Sequence, residues 1–334
     1  MGNVGRRHLE AVKELGQEDP RVRLVAVMDV LKQRVDEYSS KYGCRGYYTY
    51  EEVVRDPEVD VVILATPHYL HAQQAIYAME FRKHVIVEKP MAITIASARE
   101  MVKRAERNGV KLGVVYQRRY GEGVGRVEEL IKSGVLGDIF LMDGELMWWR
   151  GAEDYFLRDE VARSWRGLYS TEGGGLLMTQ AIHIIDLFIF FAGEAEEVYG
   201  YIDNFTHSYI EVEDTAVATI RFRKRALATL SASISLKPSS TAYWRLRIFC
   251  SKGWAEIENE ILTQLHIEGA PQQTLQEAKK RENLHKKLLK DFLTNLLEDR
   301  DFPINGREGL KSLEIVKAIY YSTIVKQPIK LPLT

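Results

Sequence analysis

The stretch from Leu9 to Tyr116 alternates between helical and strand periodicity, and that alternation restricts the possible folds more than any other feature of the chain. Leu9, Val12 and Leu15 share one helical face, and Gly16 suits a helix stop. Val22 to Met28 is a short apolar strand closed by Asp29. Leu31, Val35, Tyr38 and Tyr42 mark a second helix, and Thr49 with Glu52 forms a capping box for a third. Val59 to Thr66 is an almost unbroken apolar run, as expected of a strand covered on both faces. Ala72, Ala75, Ile76 and Met79 give another helical stripe, His84 to Val87 another strand. Thr94 caps a helix through Arg107 that Gly109 stops, and Val110 to Tyr116 is a strand again. Repeated β-α-β units of this kind predict a parallel, doubly wound sheet of Rossmann type with helices on both faces.

The pattern changes after Tyr116. A helix carrying Val127, Leu130 and Ile131 leads to a strand from Ile139 to Trp149, and a long apolar helix runs from Leu176 to Phe191. Strand-like stretches follow at Glu197 to Phe205, Thr215 to Phe222, Leu227 to Leu236, Trp244 to Cys250 and Trp254 to Asn259. Short turns join most of them, which predicts a large, open, mostly antiparallel sheet. Helices at Glu277 to Glu298 and Arg307 to Lys326 complete the pattern. With 334 residues the chain exceeds one ordinary core. The expected division is a dinucleotide-binding domain at 1–117 and an α+β domain for substrate binding and oligomerisation at 118–334.

Charge excludes some partners. Lys plus Arg is 46 and Asp plus Glu is 47, so neither nucleic acid nor an anionic membrane finds an electrostatic footprint. Cys44 and Cys250 form no spaced metal set, the histidines lack a His-x-x-x-His pairing, and no metal is expected. The longest apolar run, around Ile182 to Ala192, is interrupted by His183 and Asp186. Arg6 stands where a myristoylation signal needs Ser or Thr. The expectation is a cytoplasmic protein with a small-molecule partner.

Gly2-Asn3-Val4-Gly5 before the first helix reads as the second half of a Gly-x-Gly-x-x-Gly loop, where a pyrophosphate meets unpaired N–H groups and the positive end of the helix dipole. Alone, the half-motif is no more than a glycine-bearing start to an amphipathic helix. Asp29, at a strand end and at the spacing expected of a ribose ligand, strengthens it. Such a carboxylate accepts both ribose hydroxyls and repels a 2′-phosphate, which favours NAD over NADP. Lys32 and Arg34 nearby read as a solvated helix face. The strand and first glycine of the motif are absent, and the expectation is that the biological chain starts upstream of Met1.

Three further elements complete a pattern: Glu88-Lys89-Pro90 after a strand, Gly173-Gly174-Gly175 before a helix, and His183 with Asp186 within that helix. Together with the half-loop, in this order, they resemble the Gfo/Idh/MocA oxidoreductases along nearly the whole chain. The resemblance implies a Rossmann domain, an open-faced sheet that often builds homodimers or homotetramers, and an active site between the two. It implies Lys89 and His183 as catalytic residues. A Lys before Pro is ordinarily a surface turn residue, but the C-terminal end of a parallel strand is where such sheets bind ligands. A lone His on an apolar helix is more often a core residue, yet Thr179 and Gln180 lie on the same face one turn earlier. Asp186 could orient the imidazole or cap structure. Many family members carry Asp where this chain has Thr179, which leaves proton transfer to Lys89 and His183.

The stretch Gly173 to His183 is similar to the branch that includes nucleotide-sugar and other sugar dehydrogenases. Trp148, Trp149, Arg150, Tyr155, Trp165 and Arg166 fit that likeness, since aromatics stack on sugars and Arg pairs with carboxylates; an aromatic core with surface arginines accounts for them equally well. The family's loop facing cofactor and substrate matches Tyr116, Gln117 and Arg118. The segment against the cofactor matches Thr66, Pro67, His68 and His71, which could also be a plain loop and helix start. The implied reaction is hydride transfer between NAD and a secondary hydroxyl of a sugar, sugar acid or nucleotide-sugar. The alternatives are a glycosidase-like enzyme that recycles its NAD, and a nucleotide-sensing regulator without catalysis.

Overall fold

In the computed structural model, residues 2–271 and 283–333 are described; the part of the expected Glu277 helix that precedes Asn283 lies outside them. The chain divides into two units, Met1–Gln117 with Asn283–Leu310, and Arg118–Glu282 with Lys311–Thr334.

In the first unit, α1 (Asn3–Glu18) buries His8, Leu9, Ala11, Val12 and Leu15, the stripe that helical spacing dictates. β1 (Ala26–Met28) is shorter than the apolar run containing it, because Val22 donates to Asp19 in a turn and strand geometry starts only at Ala26. α2 (Lys32–Tyr42) leads through left-handed Gly43 to β2 (Arg45–Tyr47), which pairs parallel with β1. α3 (Tyr50–Arg55) carries the expected Thr49–Glu52 capping box. β3 (Val61–Leu64), β4 (His84–Glu88) and β5 (Leu112–Val115) form a second parallel group, alternating with α4 (His68–Glu80) and α5 (Ile95–Asn108). Thr94 accepts from Ser97 N at the start of α5, and left-handed Gly109 ends it. β1 and β3 are not hydrogen-bonded to each other among the described residues.

α10 (Leu284–Leu297) belongs to this unit. It lies against α1, where Lys286 reaches Glu14 at 2.9 Å and Glu18 at 2.8 Å. Phe292 and Phe302, stacked with centroids 4.8 Å apart, cover β5 so closely that a Cβ on Gly113 would stand 2.5 Å from one ring and 2.7 Å from the other.

The second unit is built on an eight-stranded sheet. After α6 (Glu122–Lys132) come β6 (Ile139–Met147), the short helices α7 (Glu160–Arg163) and α8 (Tyr169–Glu172), and α9 (Ile182–Ala192). β7 (Ala195–Asp203), β8 (Thr215–Phe222), β9 (Leu227–Ser233), β10 (Tyr243–Cys250), β11 (Gly253–Glu258) and β12 (Ile261–Ile267) follow, and α11 (Gly306–Val325) with β13 (Ile329–Lys330) closes the order. The sheet order is β12-β11-β10-β6-β9-β8-β7-β13, antiparallel throughout except for the β6–β9 pair. α9 packs on one face, and Gly144 of β6 makes room for it: a Cβ there would lie 2.5 Å from Ile184 and 2.6 Å from Phe188. The stretch Tyr169–Ala192 is long and apolar enough to cross a membrane by composition, but 89% of its most apolar window is buried, as in a core helix. The opposite face of the sheet is open. There Tyr201, Val217, Ser231, Glu145 and Arg245 stand in one cross-strand row, and Glu145 is held by Arg245 at 2.8 Å and Arg247 at 3.0 Å.

Candidate active site

The N-terminus of α1 is open. Gly2 is its extended N-cap; among the described residues no side chain caps the first-turn N–H groups, no acidic residue lies in the first turn, and nothing lies within 4 Å of a Cβ built on Gly2. Asn3 accepts a hydrogen bond from Arg6, and Val4 is exposed. At the end of β1, Asp29 accepts from Leu31 N at 3.0 Å and sits 3.8 Å from Arg34. Uncapped donors followed by a strand-end carboxylate suit a dinucleotide's pyrophosphate and adenosine ribose, so the residues fit NAD.

The turns after β3 and β4 are braced together. Thr66 donates to Gln74 at 2.6 Å, Pro67 is the N-cap of α4, and His68 is buried at its first position. His71 is wholly buried, with Nε2 2.9 Å from Thr66 O and Nδ1 2.8 Å from Pro90 O. Burial lowers its pKa against the pull of those two carbonyls. His71 thus ties the Thr66 turn to the Glu88-Lys89-Pro90 turn.

Lys89 is half-buried, while Glu88 points inward. One Glu88 oxygen lies 2.8 Å from His8 Nε2 and 3.7 Å from His285 Nε2, and the other accepts from Lys89 N at 3.2 Å. Burial pushes the Glu88 carboxyl up, but His8, His285 and Lys89 together hold it below its usual value; burial drives His285 down to about 4. His8, Glu88 and His285 each offer a ligand atom, and the three lie within 4.8 Å of one another. His8 Nδ1 is buried without a hydrogen-bond partner among the described residues.

In the second unit, the arginines and aromatics form an alternating ladder. Arg118 lies 4.4 Å from the Trp244 ring and 5.7 Å from that of Trp148. Arg150 is 4.8 Å from the Trp148 ring and 5.0 Å from Tyr155; Arg166 is 4.0 Å from Tyr155 and 4.3 Å from Trp165. Each stacked contact contributes about 0.5–2 kcal/mol depending on desolvation. Arg166 meets Glu172 at 3.4 Å and Arg118 meets Glu260 at 3.9 Å, and the Asp154 carboxylate acts on Arg150 without an ion-pair contact among the described residues. Burial pushes Arg118 down to about 10 and also lowers Arg150. Arg118 Nη1 and Arg150 Nε are buried with no hydrogen-bond partner, as is Gln117 Oε1 at the end of the first unit; Tyr116 beside it is 1% exposed.

His183 is the second residue of α9. The five residues before α9, Leu177–Ala181, are wound as a π-helical turn that carries Thr179 and Gln180, a distortion common at functional sites. Thr179 Oγ1 donates back to Gly175 O at 3.0 Å. Thr179, Gln180, His183 and Asp186 are all buried. Asp186 receives a two-pronged bond from Arg119, at 2.8 and 2.6 Å, a partner that sequence reading did not single out. The tri-glycine has a packing reason. A Cβ on Gly174 would strike the Tyr320 hydroxyl, and one on Gly175 would strike the Glu213 carbonyl, both well inside contact distance. Glu213 caps this turn by accepting from Gly175 N at 2.9 Å, Leu177 N at 2.8 Å and Tyr320 at 2.8 Å. Lys317, driven down to about 8 by burial, donates to Gly173 O at 2.7 Å. Glu213, Lys317, Arg119 and Trp244 are distant in sequence from the motifs they serve, and only a glycine run too tight for any side chain hinted at such neighbours.

The open phosphate-type loop, the parallel α/β unit and the apolar helix bearing a buried histidine define an NAD-binding oxidoreductase. Residues 1–116 match the oxidoreductase family with an NAD-binding Rossmann fold, and residues 124–256 match the GFO/IDH/MocA C-terminal domain. The chain belongs to the GFO/IDH/MocA family. It is 24% identical to myo-inositol 2-dehydrogenase of Thermotoga maritima, over 99% of this chain and 96% of that one. It is 28% identical to the WlbA dehydrogenase of Bordetella pertussis, solved with NADH and UDP-GlcNAcA, with a TM-score of 0.87 over 100% of this chain and 97% of that one. A levoglucosan dehydrogenase solved with NADH shares the fold, with a TM-score of 0.87 at 20% identity over 100% of this chain and 97% of that one.

Proposed function

We propose that this NAD-dependent oxidoreductase acts on an acidic sugar, free or nucleotide-linked, at a secondary hydroxyl. The observation that carries this reading is the pair of buried, unpartnered guanidinium donors, Arg118 Nη1 and Arg150 Nε, facing one indole, Trp148. An unpaired buried donor is costly, and a carboxylate that accepts from it gains about 1.5–3 kcal/mol as a charged hydrogen bond. Aromatic faces beside it suit the apolar face of a sugar ring. The UDP-GlcNAcA held by the WlbA dehydrogenase is a ligand of this chemistry.

Bound NAD supplies the hydride acceptor. In this reading the first-turn N–H groups of α1 and the residues Gly2, Asn3 and Val4 receive its pyrophosphate, Asp29 its adenosine ribose, and the braced turns with Thr66, Pro67, His68 and Lys89 its nicotinamide end. Lys89 and His183 are the proton-handling groups, with Thr179, which cannot act as an acid, and Gln180 lining the same helix as His183. Asp186, tied to Arg119, fixes that helix. Tyr201, Val217 and Leu227 on the open sheet face, 58%, 45% and 51% exposed, support a homodimer or homotetramer formed through it. The two unpaired cysteines, Cys44 and Cys250, agree with a cytoplasmic location.

The test compares UDP-GlcNAcA with its neutral counterpart UDP-GlcNAc, following NADH absorbance. Turnover of the acid, at least ten times the neutral sugar in kcat/KM, is expected; equal turnover overturns the acidic-sugar reading. Arg150→Gln should lower kcat/KM for the acid by about 10–100-fold. Lys89→Met should cost about 10³-fold in kcat with NADH affinity nearly unchanged; surviving turnover overturns the role of Lys89. Light scattering of the purified protein reads the subunit number, and a strict monomer overturns the sheet-face assembly.

A further inference from the structure

One histidine outside all of these groups bridges the ladder to the sheet. His207 is completely buried, within the connection between β7 and β8. Its Nε2 lies 2.7 Å from the carbonyl oxygen of Arg150. Its Nδ1 lies 2.9 Å from Asp214 Oδ2. A carbonyl only accepts, so Nε2 carries the hydrogen there. Asp214 is also an acceptor: its two oxygens receive Phe205 N at 3.1 Å, Thr206 N at 2.8 Å, and the hydroxyls of Thr206 at 3.1 Å and Thr215 at 2.9 Å. Burial opposes charge on Asp214, but these donors and His207 hold it far below the usual carboxylate range. Thr206 Oγ1 at 2.8 Å and Ser235 Oγ at 3.3 Å complete the surroundings of Nδ1.

The anchor itself is rigid. Asn204 Nδ2 donates to the carbonyls of His207 at 2.9 Å, Ile210 at 3.2 Å and Val212 at 3.2 Å, and Asn204 Oδ1 accepts from His207 N at 3.0 Å. Rings of Trp149, Phe156 and Tyr209 stand 5.3, 5.8 and 5.6 Å from the imidazole and exclude water. On the other side, Arg150 N donates to Ile234 O at 3.0 Å, so both backbone groups of Arg150 are fixed. From that fixed backbone the Arg150 side chain stands between Trp148 and Tyr155.

We propose that His207 is a positioning residue for Arg150: joined to Asp214, it fastens the Arg150 carbonyl and thereby aims the guanidinium that receives the anionic group of the substrate. The fastening stands on geometry alone; its consequence for substrate rests on the acidic-sugar reading above. A residue at the far side of Arg150's backbone thus sets specificity without touching the sugar.

Two substitutions divide the bridge. An Asn amide reaches the place of Nδ1 and keeps Asp214 but leaves the Arg150 carbonyl; a Gln amide reaches the place of Nε2 and keeps the carbonyl but leaves Asp214. The first readout needs no substrate. In the full-length protein the Arg150 Nε–H resonance, assigned with Arg150→Lys, should be strongly ring-current shifted by Trp148 and Tyr155. His207→Asn should lose that shift and His207→Gln should keep it. The second readout is kinetic: with UDP-GlcNAcA, His207→Asn should raise KM about tenfold with kcat moved far less, and His207→Gln should leave KM within about threefold. NADH titration and circular dichroism confirm that each variant is folded. An Arg150 resonance unchanged in His207→Asn, or identical losses in both folded variants, overturns the proposal. If either variant fails to fold, the nitrogen resonances of the wild-type His207 ring decide: a hydrogen on Nε2 protected from exchange supports the hold on the Arg150 carbonyl, and an Nε2 that carries none overturns it. If UDP-GlcNAcA is not turned over by the wild type, the acidic-sugar reading fails while the resonance test still decides the role of His207.

Discussion

Two glycine-rich turns precede helices in this chain, and they have opposite uses. At Gly2 the α1 N-terminus is uncapped, without an acidic residue or a neighbour near the glycine. At Gly173-Gly174-Gly175 the corresponding donors are already taken by the carboxylate of Glu213, and the glycines are pressed against Glu213 and Tyr320. In sequence both are glycine-bearing starts to a helix, though only the first reads as an anion cradle. The difference is whether the protein supplies its own anion. A glycine before a helix marks a close approach, and only the approaching group decides whether a ligand has room.

That contrast can be broken from either side. The largest effect is expected at the closed turn: Gly175→Ala, which sets a methyl group on backbone, should cost about 3 kcal/mol in urea unfolding, whereas Gly2→Ala should stay within about 0.5 kcal/mol. Equal costs would erase the distinction. Glu213→Ala, which strips the closed turn of its cap, should cost about 2 kcal/mol with little change in NADH affinity. Gly2→Asp gives the open turn a cap of its own; it should stabilise the protein by about 0.3 kcal/mol and weaken NADH about tenfold or more, as read by tryptophan-to-NADH energy transfer. Unchanged NADH affinity would remove α1 from the cofactor site. The smallest effect is in pH dependence. Burial raises the Glu213 carboxyl above its ordinary value of 4.5, outweighing the bonds from Leu177, Gly175 and Tyr320. Its contribution is therefore fully present below that ordinary value and is lost as pH rises through the raised folded one. The stability of wild type relative to Glu213→Gln should grow as the pH is lowered from 8 toward 4.5; a constant difference would mean that the carboxyl titrates alike folded and unfolded.

Local signals were legible in the sequence where local chemistry governs. The Thr49–Glu52 box, the Thr94 cap and the Gly109 stop need only near neighbours, and they stand where spacing puts them. β8 keeps the bounds of its alternating pattern, Thr215–Phe222. β2 and β12 were not foreseen: Arg-Gly-Tyr offers too short a pattern, and Ile261–Ile267 mixes polar residues onto both faces at a sheet edge. The parallel β6–β9 pair is invisible to any reading that joins neighbouring strands by short turns. For the candidate site, residue types were legible but partners were not. Nothing near Asp186 names Arg119, nothing near Arg150 names His207, and Glu88 meets His8 and His285 from opposite ends of the sequence. Such pairings follow from the path of the chain through space, which periodicity does not encode.

The first unit takes its last helix from residues 283–310, which return to cover β5 and α1. Anyone wishing to graft this cofactor module onto another protein, or to express it alone, therefore has no single place to cut. A piece cut after Gln117 would leave Gly113 without the two phenyl rings stacked over it and Leu15 without α10 beside it, and would carry an adhesive apolar stripe. A transplanted module therefore needs both stretches, 1–117 and 283–310.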